Sequence, residues 1–293
     1  MSSSVILITG CSTGFGRSIA LEALSRGLRV IATARKLEAI DDLREKGAKT
    51  LSLDVTASEG VLEVFVEEAL GVFGQVDILV NNAGYLLGGA IEENAEEEIR
   101  AQFDTNFFSV INLTTKFLPH FRSRKTGTIV NISSQGAYLA ISGAGIYCAS
   151  KAALDCISEV WAIELAPFGI RTMSVNLGAY RTAVAGSNTK RPAKGEIEGY
   201  NDAHEFQTLF QERSGQEQGD PAKAVKKILD LIDLKGQDGK PLQLPARLAL
   251  GDDAVELIGK VLQKRLEGLQ QWREHGVGTN AEGPMFTKSG GAW

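Results

Sequence analysis

Cysteine and histidine are scarce in this 293-residue chain, three of each, and their spacing excludes whole classes of protein. Cys11, Cys148 and Cys156 form no Cys-x-x-Cys pair and stand far along the chain from His120, His204 and His275. No zinc site and no disulfide framework is expected from that pattern, and no metal is assigned. Unpaired thiols fit a reducing, cytoplasmic compartment. Long apolar runs are missing too. The first, Val5 to Thr9, has no basic flank and no small-residue cleavage site, and none approaches the roughly eighteen residues of a membrane span. Neither secretion nor membrane association is expected. There is no block of lysine and arginine, and 31 basic residues against 36 acidic ones leave a net charge of -5, so nucleic acid is not an expected partner.

What the chain does have is alternation. Short β-branched runs recur at Val5 to Thr9, Arg29 to Thr33, Thr50 to Leu53, Ile78 to Val80, Thr128 to Ile132 and Arg171 to Val175. Segments of helical spacing lie between them: Leu21 and Leu24 share a face, as do Val61, Phe65 and Ala69, while Glu22, Glu67 and Glu68 can turn to water. Strand and helix in alternation mean βαβ units with right-handed crossovers. Continuous apolar strands fit a parallel sheet covered by helices on both faces. The expected fold class is α/β, one doubly wound domain over residues 1–293.

No linker interrupts the pattern before about residue 183. From Ala183 to Gly219 the chain turns polar, rich in glycine and basic residues and weakly periodic, which is the character of a lid or binding loop. Helices are expected over Pro221 to Leu234 and Asp252 to Trp272, with Asp252 as N-cap of the second. The stretch 273–293, with Gly276, Gly278, Gly283, Gly290 and Gly291, reads as a tail of disordered composition. Glu92 to Glu98, "EENAEEE", reads as the acidic first turn of a helix.

Three glycines stand within "LITGCSTGFGRSIA", on the turn between the first strand and a helix expected from Gly14 to Arg26. A doubly wound sheet binds a dinucleotide pyrophosphate there, against the free N–H groups of the helix. Gly10 would allow the tight turn, Gly14 the approach of backbone to phosphate, and Gly16 close packing of helix on strand. The second strand, "RVIATARK", has Ala34 where an NAD-specific domain places a carboxylate, followed by Arg35 and Lys36. Arg35 can pair with a ribose 2′-phosphate, so NADP(H) is the expected cofactor. Tyr147 and Lys151 are four apart in a helical segment and share a face. A nearby ammonium would favour the phenolate of a tyrosine whose ordinary pKa is about 10.

"TGCSTGFG" at Thr9 to Gly16, "NNAG" at Asn81 to Gly84, Asn106 in "DTNFFSV", "NISS" at Asn131 to Ser134 and "YCASK" at Tyr147 to Lys151 together resemble the short-chain dehydrogenase/reductase family. The resemblance covers roughly residues 5–182. It implies a Rossmann-type sheet of about seven strands and a C-terminal helical extension. It also implies a catalytic set of Asn106, Ser134, Tyr147 and Lys151. Ser133 competes for the serine role, and the spacing to the tyrosine favours Ser134. Cofactor contacts are expected from Gly10, Ser12, Thr13, Gly14, Phe15 and Gly16, from Arg35, Asp54 and Val55, from Asn81, Ala83 and Gly84, from Tyr147 and Lys151, and from Gly178 and Thr182. The chain departs from the family at Asn176, Leu177 and Gly178, where proline is usual in the middle position.

Hydride transfer between NADP(H) and a carbonyl compound follows from the resemblance, with Tyr147 as general acid. Tyr85, Leu86, Leu87, Tyr138, Leu139, Ile141 and Tyr180 are expected to wall the substrate site. They are mostly apolar, which suggests a small hydrophobic ketone or aldehyde. An alcohol dehydrogenase running in the oxidative direction, or a non-catalytic dinucleotide-binding sensor, are the alternatives. A homodimer or homotetramer is expected through helices near Phe103 to Phe121 and Ile146 to Phe168, with Phe107, Phe108, Val160 and Trp161 at the contact.

Overall fold

The computed structural model describes residues 4–182, 189–190, 194–235, 239 and 241–279. Its strands are β1 (Val5–Ile8), β2 (Arg29–Ala34), β3 (Lys49–Ser52), β4 (Ile78–Asn81), β5 (Leu86–Leu87), β6 (Gly127–Ser134), β7 (Ile170–Leu177), β8 (Thr189–Lys190) and β9 (Arg247–Leu250). Seven of them form one sheet in the order β3-β2-β1-β4-β6-β7-β9, and β5 pairs with β8 apart from it. Every pairing in the large sheet is parallel. The chain winds outward from β1 to β3, then crosses back to β4, so the switch point lies between β1 and β4.

The helices are α1 (Gly14–Ser25), α2 (Asp41–Glu45), α3 (Glu59–Phe73), α4 (Glu96–Phe103), α5 (Ser109–Arg124), α6 (Gly145–Glu164), α7 (Asn201–Glu212), α8 (Pro221–Asp233), α9 (Asp252–Gln271) and α10 (Arg273–Gly276). Alternate side chains of β1 serve two cores. Ile6 and Ile8 pack with Ile19 of α1 and Ile228 of α8. Val5 and Leu7 pack with Leu62 of α3, Phe117 of α5 and Leu154 of α6. All four β1 residues are fully buried, which is why the strand shows no polar alternation. Each large apolar side chain so buried contributes about 1.5–3 kcal/mol.

Several elements differ from the sequence expectation. The seventh strand is β9, a four-residue edge too short to announce itself. Residues 201–212, within the expected loop, form α7. Its polar surface of Asn, Asp, Gln and Glu hides an apolar side built on Ala203, Phe206 and Phe210. Asp252 is the first residue of α9, not its cap, which is Gly251 at φ +114°. The acidic run is split: Glu96 to Glu98 open α4, but Glu93 is fully buried. Residues 183–188 and 191–193 of the expected lid, and 280–293 of the expected tail, lie outside the described residues.

Candidate active site

A cavity of about 830 Å³ opens at the carboxyl ends of β1, β4, β6 and β7. Gly10, Ser12, Thr13, Gly14 and Phe15 form its floor at the N-terminus of α1. Gly10 and Gly14 have φ of +70° and +59°, a left-handed backbone that glycine adopts without strain. A Cβ added to Gly14 would meet only Thr182, at 3.7 Å, so the N–H groups behind it stay approachable. Thr182 lines the same corner. This cradle fits a pyrophosphate. Gly16 does not line the cavity. It faces Asn82, whose amide donates to the carbonyls of Thr9 at 2.8 Å and Gly10 at 3.1 Å. Thr9 Oγ1 in turn accepts from the N–H groups of Asn82 at 2.9 Å and Ala83 at 3.0 Å. The loops after β1 and β4 are thereby fastened together, and Asn82, absent from the expected site, holds them.

Arg35, Asp54 and Val55 line one end of the cavity, and Ala83 and Gly84 its middle. Asp54 accepts from the Thr56 N–H at 2.9 Å and hydroxyl at 2.7 Å, which with the nearby Arg35 hold its carboxyl below the ordinary range. Asn81 stands apart from the cavity. Its amide is spent inside the sheet on Thr114 at 3.0 Å and Asn131 at 2.8 Å, because the strand turns that side chain toward α5.

Ser134, Tyr147 and Lys151 meet at the centre of the cavity. The Ser134 hydroxyl caps the turn after β6 by accepting from Gly136 N at 3.0 Å and lies near enough to Tyr147 to favour its phenolate. Ser133 Oγ is buried and finds no partner among the described residues, and Ser134 is the serine whose hydroxyl acts on Tyr147. Lys151 is buried, with Nζ donating to Ile132 O at 2.8 Å and 5.9 Å from the centre of the Tyr147 ring. The expected lowering of the tyrosine is not met: burial raises Tyr147 to about 12 and outweighs the effect of Ser134. Burial also lowers Lys151 to about 8, which weakens it as a source of positive charge.

Asn106 lies behind this group and does not line the cavity. It sits in a π-helical turn, Asp104–Phe108, between α4 and α5. Its side chain reads the Tyr85 backbone on both sides, accepting from N at 3.1 Å and donating to O at 3.0 Å, and it also donates to Ser150 Oγ at 3.2 Å. Gly178, at the end of β7, lines the cavity too. Leu177 continues β7, in register with Ser134 on one side and Leu250 on the other. Asp253 of α9 then accepts from Ala179 N at 2.7 Å and fills the space a Gly178 side chain would need.

Tyr85, Leu86, Ile141 and Tyr180 wall the cavity, joined by Phe206, Leu209 and Phe210 of α7. Their i, i+3, i+4 spacing was the available signal for α7. Leu87, Tyr138 and Leu139 face elsewhere: Leu87 is in the interior, and the Tyr138 ring lies under Arg247 at 5.3 Å. Glu93 pins α7, accepting from Ala90 N at 2.7 Å, Ile197 N at 2.7 Å and His204 Nε2 at 2.6 Å. Cys11 is buried under the phosphate loop and its thiol is pushed up to about 12. Among the described residues no cluster of three or more metal-ligating side chains occurs, and no helix is long and apolar enough to cross a membrane.

A doubly wound sheet with a glycine loop, and a serine, tyrosine and lysine at the carboxyl edge, define an oxidoreductase of the dinucleotide-binding α/β class. The family model described as short chain dehydrogenase matches residues 4–193, and the chain belongs to that family. A short-chain dehydrogenase from Streptomyces avermitilis has a similar structure, with TM-score 0.85 and 39% identity, covering 95% of this chain and 99% of that one. Oxidoreductase BOA17 of Botryotinia fuckeliana is 34% identical over 271 residues, 91% of this chain and 96% of its own. The crystal structure of a variant actinorhodin polyketide ketoreductase with NADPH matches at TM-score 0.69 and 30% identity, over 84% of this chain and 95% of that one.

Proposed function

We propose that the protein is an NADP(H)-dependent carbonyl reductase for a hydrophobic ketone or aldehyde. The observation that carries this reading is that Ser134, Tyr147 and Lys151 line one cavity, with the Lys151 amine 5.9 Å from the centre of the Tyr147 ring, below walls of Tyr85, Phe206 and Phe210. When bound, the nicotinamide supplies the hydride. Ser134 holds the substrate oxygen and stabilises the charge that develops there. Tyr147 gives that oxygen a proton, which its raised pKa keeps in place at neutral pH. Lys151 binds the ribose and Asn106 completes the path of the proton to solvent. Arg35 takes the 2′-phosphate, in keeping with the NADPH of the similar ketoreductase structure. Domain 1–293 acts as one unit, α7 and its flanks serving as substrate lid.

The oxidative direction uses the same residues in reverse. A dinucleotide-binding sensor has no need of Ser134, Tyr147 and Lys151 gathered in one cavity. The test is turnover of NADPH with a panel of aromatic and alicyclic ketones. Tyr147→Phe is expected to lower kcat by about 100-fold or more while NADPH still binds. Retention of more than about a tenth of wild-type kcat excludes Tyr147 as the acid.

A further inference from the structure

Tyr147, Lys151 and Asp155 stand at four-residue intervals on one face of α6, and only the first two have a part in the reaction described above. Asp155 is fully buried, although an isolated carboxylate there would be costly. Ser174 Oγ donates to its Oδ1 at 2.5 Å and Asn176 Nδ2 to its Oδ2 at 2.6 Å. The same Asn176 amide donates to the Ser134 carbonyl at 3.2 Å. One carboxylate thus links the helix of Tyr147 and Lys151 to the strand end that aims Ser134. Arg247 of β9 is the cation facing it, at 3.4 Å, but that guanidinium lies closer to Glu159, at 2.7 and 2.8 Å. The charge of Asp155 is therefore incompletely matched in a medium of low dielectric, one helical turn from Lys151.

We propose that Asp155 is a positioning residue of this site, locking the helix of Tyr147 and Lys151 to the strand end of Ser134 and holding the Lys151 amine in its charged form. The proposal rests on the reading of the site as a reductase centre. Burial drives Lys151 downward, and Asp155 is the carboxylate that pulls it back up. Asp155 also adds to the upward shift of Tyr147. The other charged or titratable groups facing the pair are Tyr147 and Glu159 on α6 and Arg247 on β9. The strands β6 and β7 present only neutral groups to it, Ile132 O, Ser174 and Asn176.

The direct test follows the ¹⁵Nζ resonance of Lys151, assigned by its loss in Lys151→Met, through a pH titration of the cofactor-free full-length protein. Residues one helical turn apart have Cβ atoms about 5–6 Å apart, and unit charges at about that range in an effective dielectric near 20 move each other by about two pH units. Asp155→Asn is therefore expected to lower the Lys151 midpoint by about one unit or more, and a midpoint that stays in place overturns the proposal. Asp155→Ser removes the same charge and leaves room for water, so it replaces Asp155→Asn if that variant does not fold. In turnover, the alkaline loss of ketone reduction should begin at lower pH in Asp155→Asn. Asn176→Ala, which keeps the charge and cuts the tie to Ser134, should lower kcat without moving that pH. If wild type reduces no ketone, the reductase reading fails and the resonance still decides the role of Asp155. If wild type turns over and the resonance does not move, the role of Asp155 alone fails.

Discussion

Gly16 and Asn82 share one corner of the phosphate loop: a Cβ on Gly16 would overlap the Asn82 amide nitrogen and lie 2.5 Å from the Gly10 carbonyl oxygen. That amide is the donor for both Thr9 O and Gly10 O. Gly16→Ala should displace it, leave two carbonyls short of a donor and cost about 1–3 kcal/mol. Thermal unfolding with and without NADPH checks this. Both the Tm and the NADPH affinity are expected to fall, and a variant that keeps both would show that Asn82 moves aside freely.

The sequence carried the fold as far as residue 182 because each strand there is an apolar run and each loop has a recognisable turn. It carried the roles of Ser134, Tyr147 and Lys151 only in combination, since no pair of them is informative alone. Glu93 was unreadable: a glutamate in "EENAEEE" looks solvated, and nothing local says that Ile197 and His204 arrive over 100 residues later to bury it. Asp155 and Asp253 were hidden for the same reason, as their partners belong to β7, β9 and the loop after β7. Asn81 was misplaced because two adjacent asparagines on a strand end point to opposite faces, and only Asn82 reaches the loops.

Arg35→Ala should weaken NADPH binding and leave NADH binding unchanged. Arg35 lines the cavity end opposite the catalytic group, and Ala34 before it offers no carboxylate to the ribose. Loss of a charge-assisted pair to phosphate is worth about 1.5–3 kcal/mol, or at least tenfold in Kd. Fluorescence titration of both cofactors gives the ratio. Equal losses for the two would place Arg35 outside the phosphate site.

Glu93→Gln should loosen α7. Burial alone would raise the Glu93 carboxyl, but the hydrogen bonds from Ile197, His204 and Ala90 outweigh it and the carboxyl ends below its ordinary range. A carboxylate so depressed stabilises the fold above its unfolded pKa, and that contribution fades as pH falls toward the folded one. Wild-type stability should therefore decline below about pH 4.3 more steeply than that of the variant. At neutral pH the variant should lose about 1–3 kcal/mol of stability, because its amide hydrogens oppose N–H donors. The KM for ketones should rise with the wall of Phe206 and Phe210 no longer fixed. A variant with unchanged KM would separate the anchor from substrate binding.

Assembly as a homodimer or homotetramer would use a surface that differs in part from the expected one. Trp161 is 5% exposed and so is not free to meet a partner, and Phe107 is partly buried against the inner core. Phe108 at 48%, Val160 at 38%, Ile163 at 74% and Phe168 at 42% remain outside, on the same two helical regions. Covering the exposed part of each such side chain in an interface is worth about 0.6–2 kcal/mol before the cost of association. Ile163 is the most exposed of them, and Ile163→Glu would bring like charges together across a two-fold contact. Light scattering at micromolar concentration should give a multiple of 31.4 kDa for wild type and a mass near 31.4 kDa for the variant. Circular dichroism and NADPH binding should be unchanged, since Ile163 touches neither the core nor the cavity. A monomeric wild type, or a variant that keeps the wild-type mass, would remove this face from the assembly.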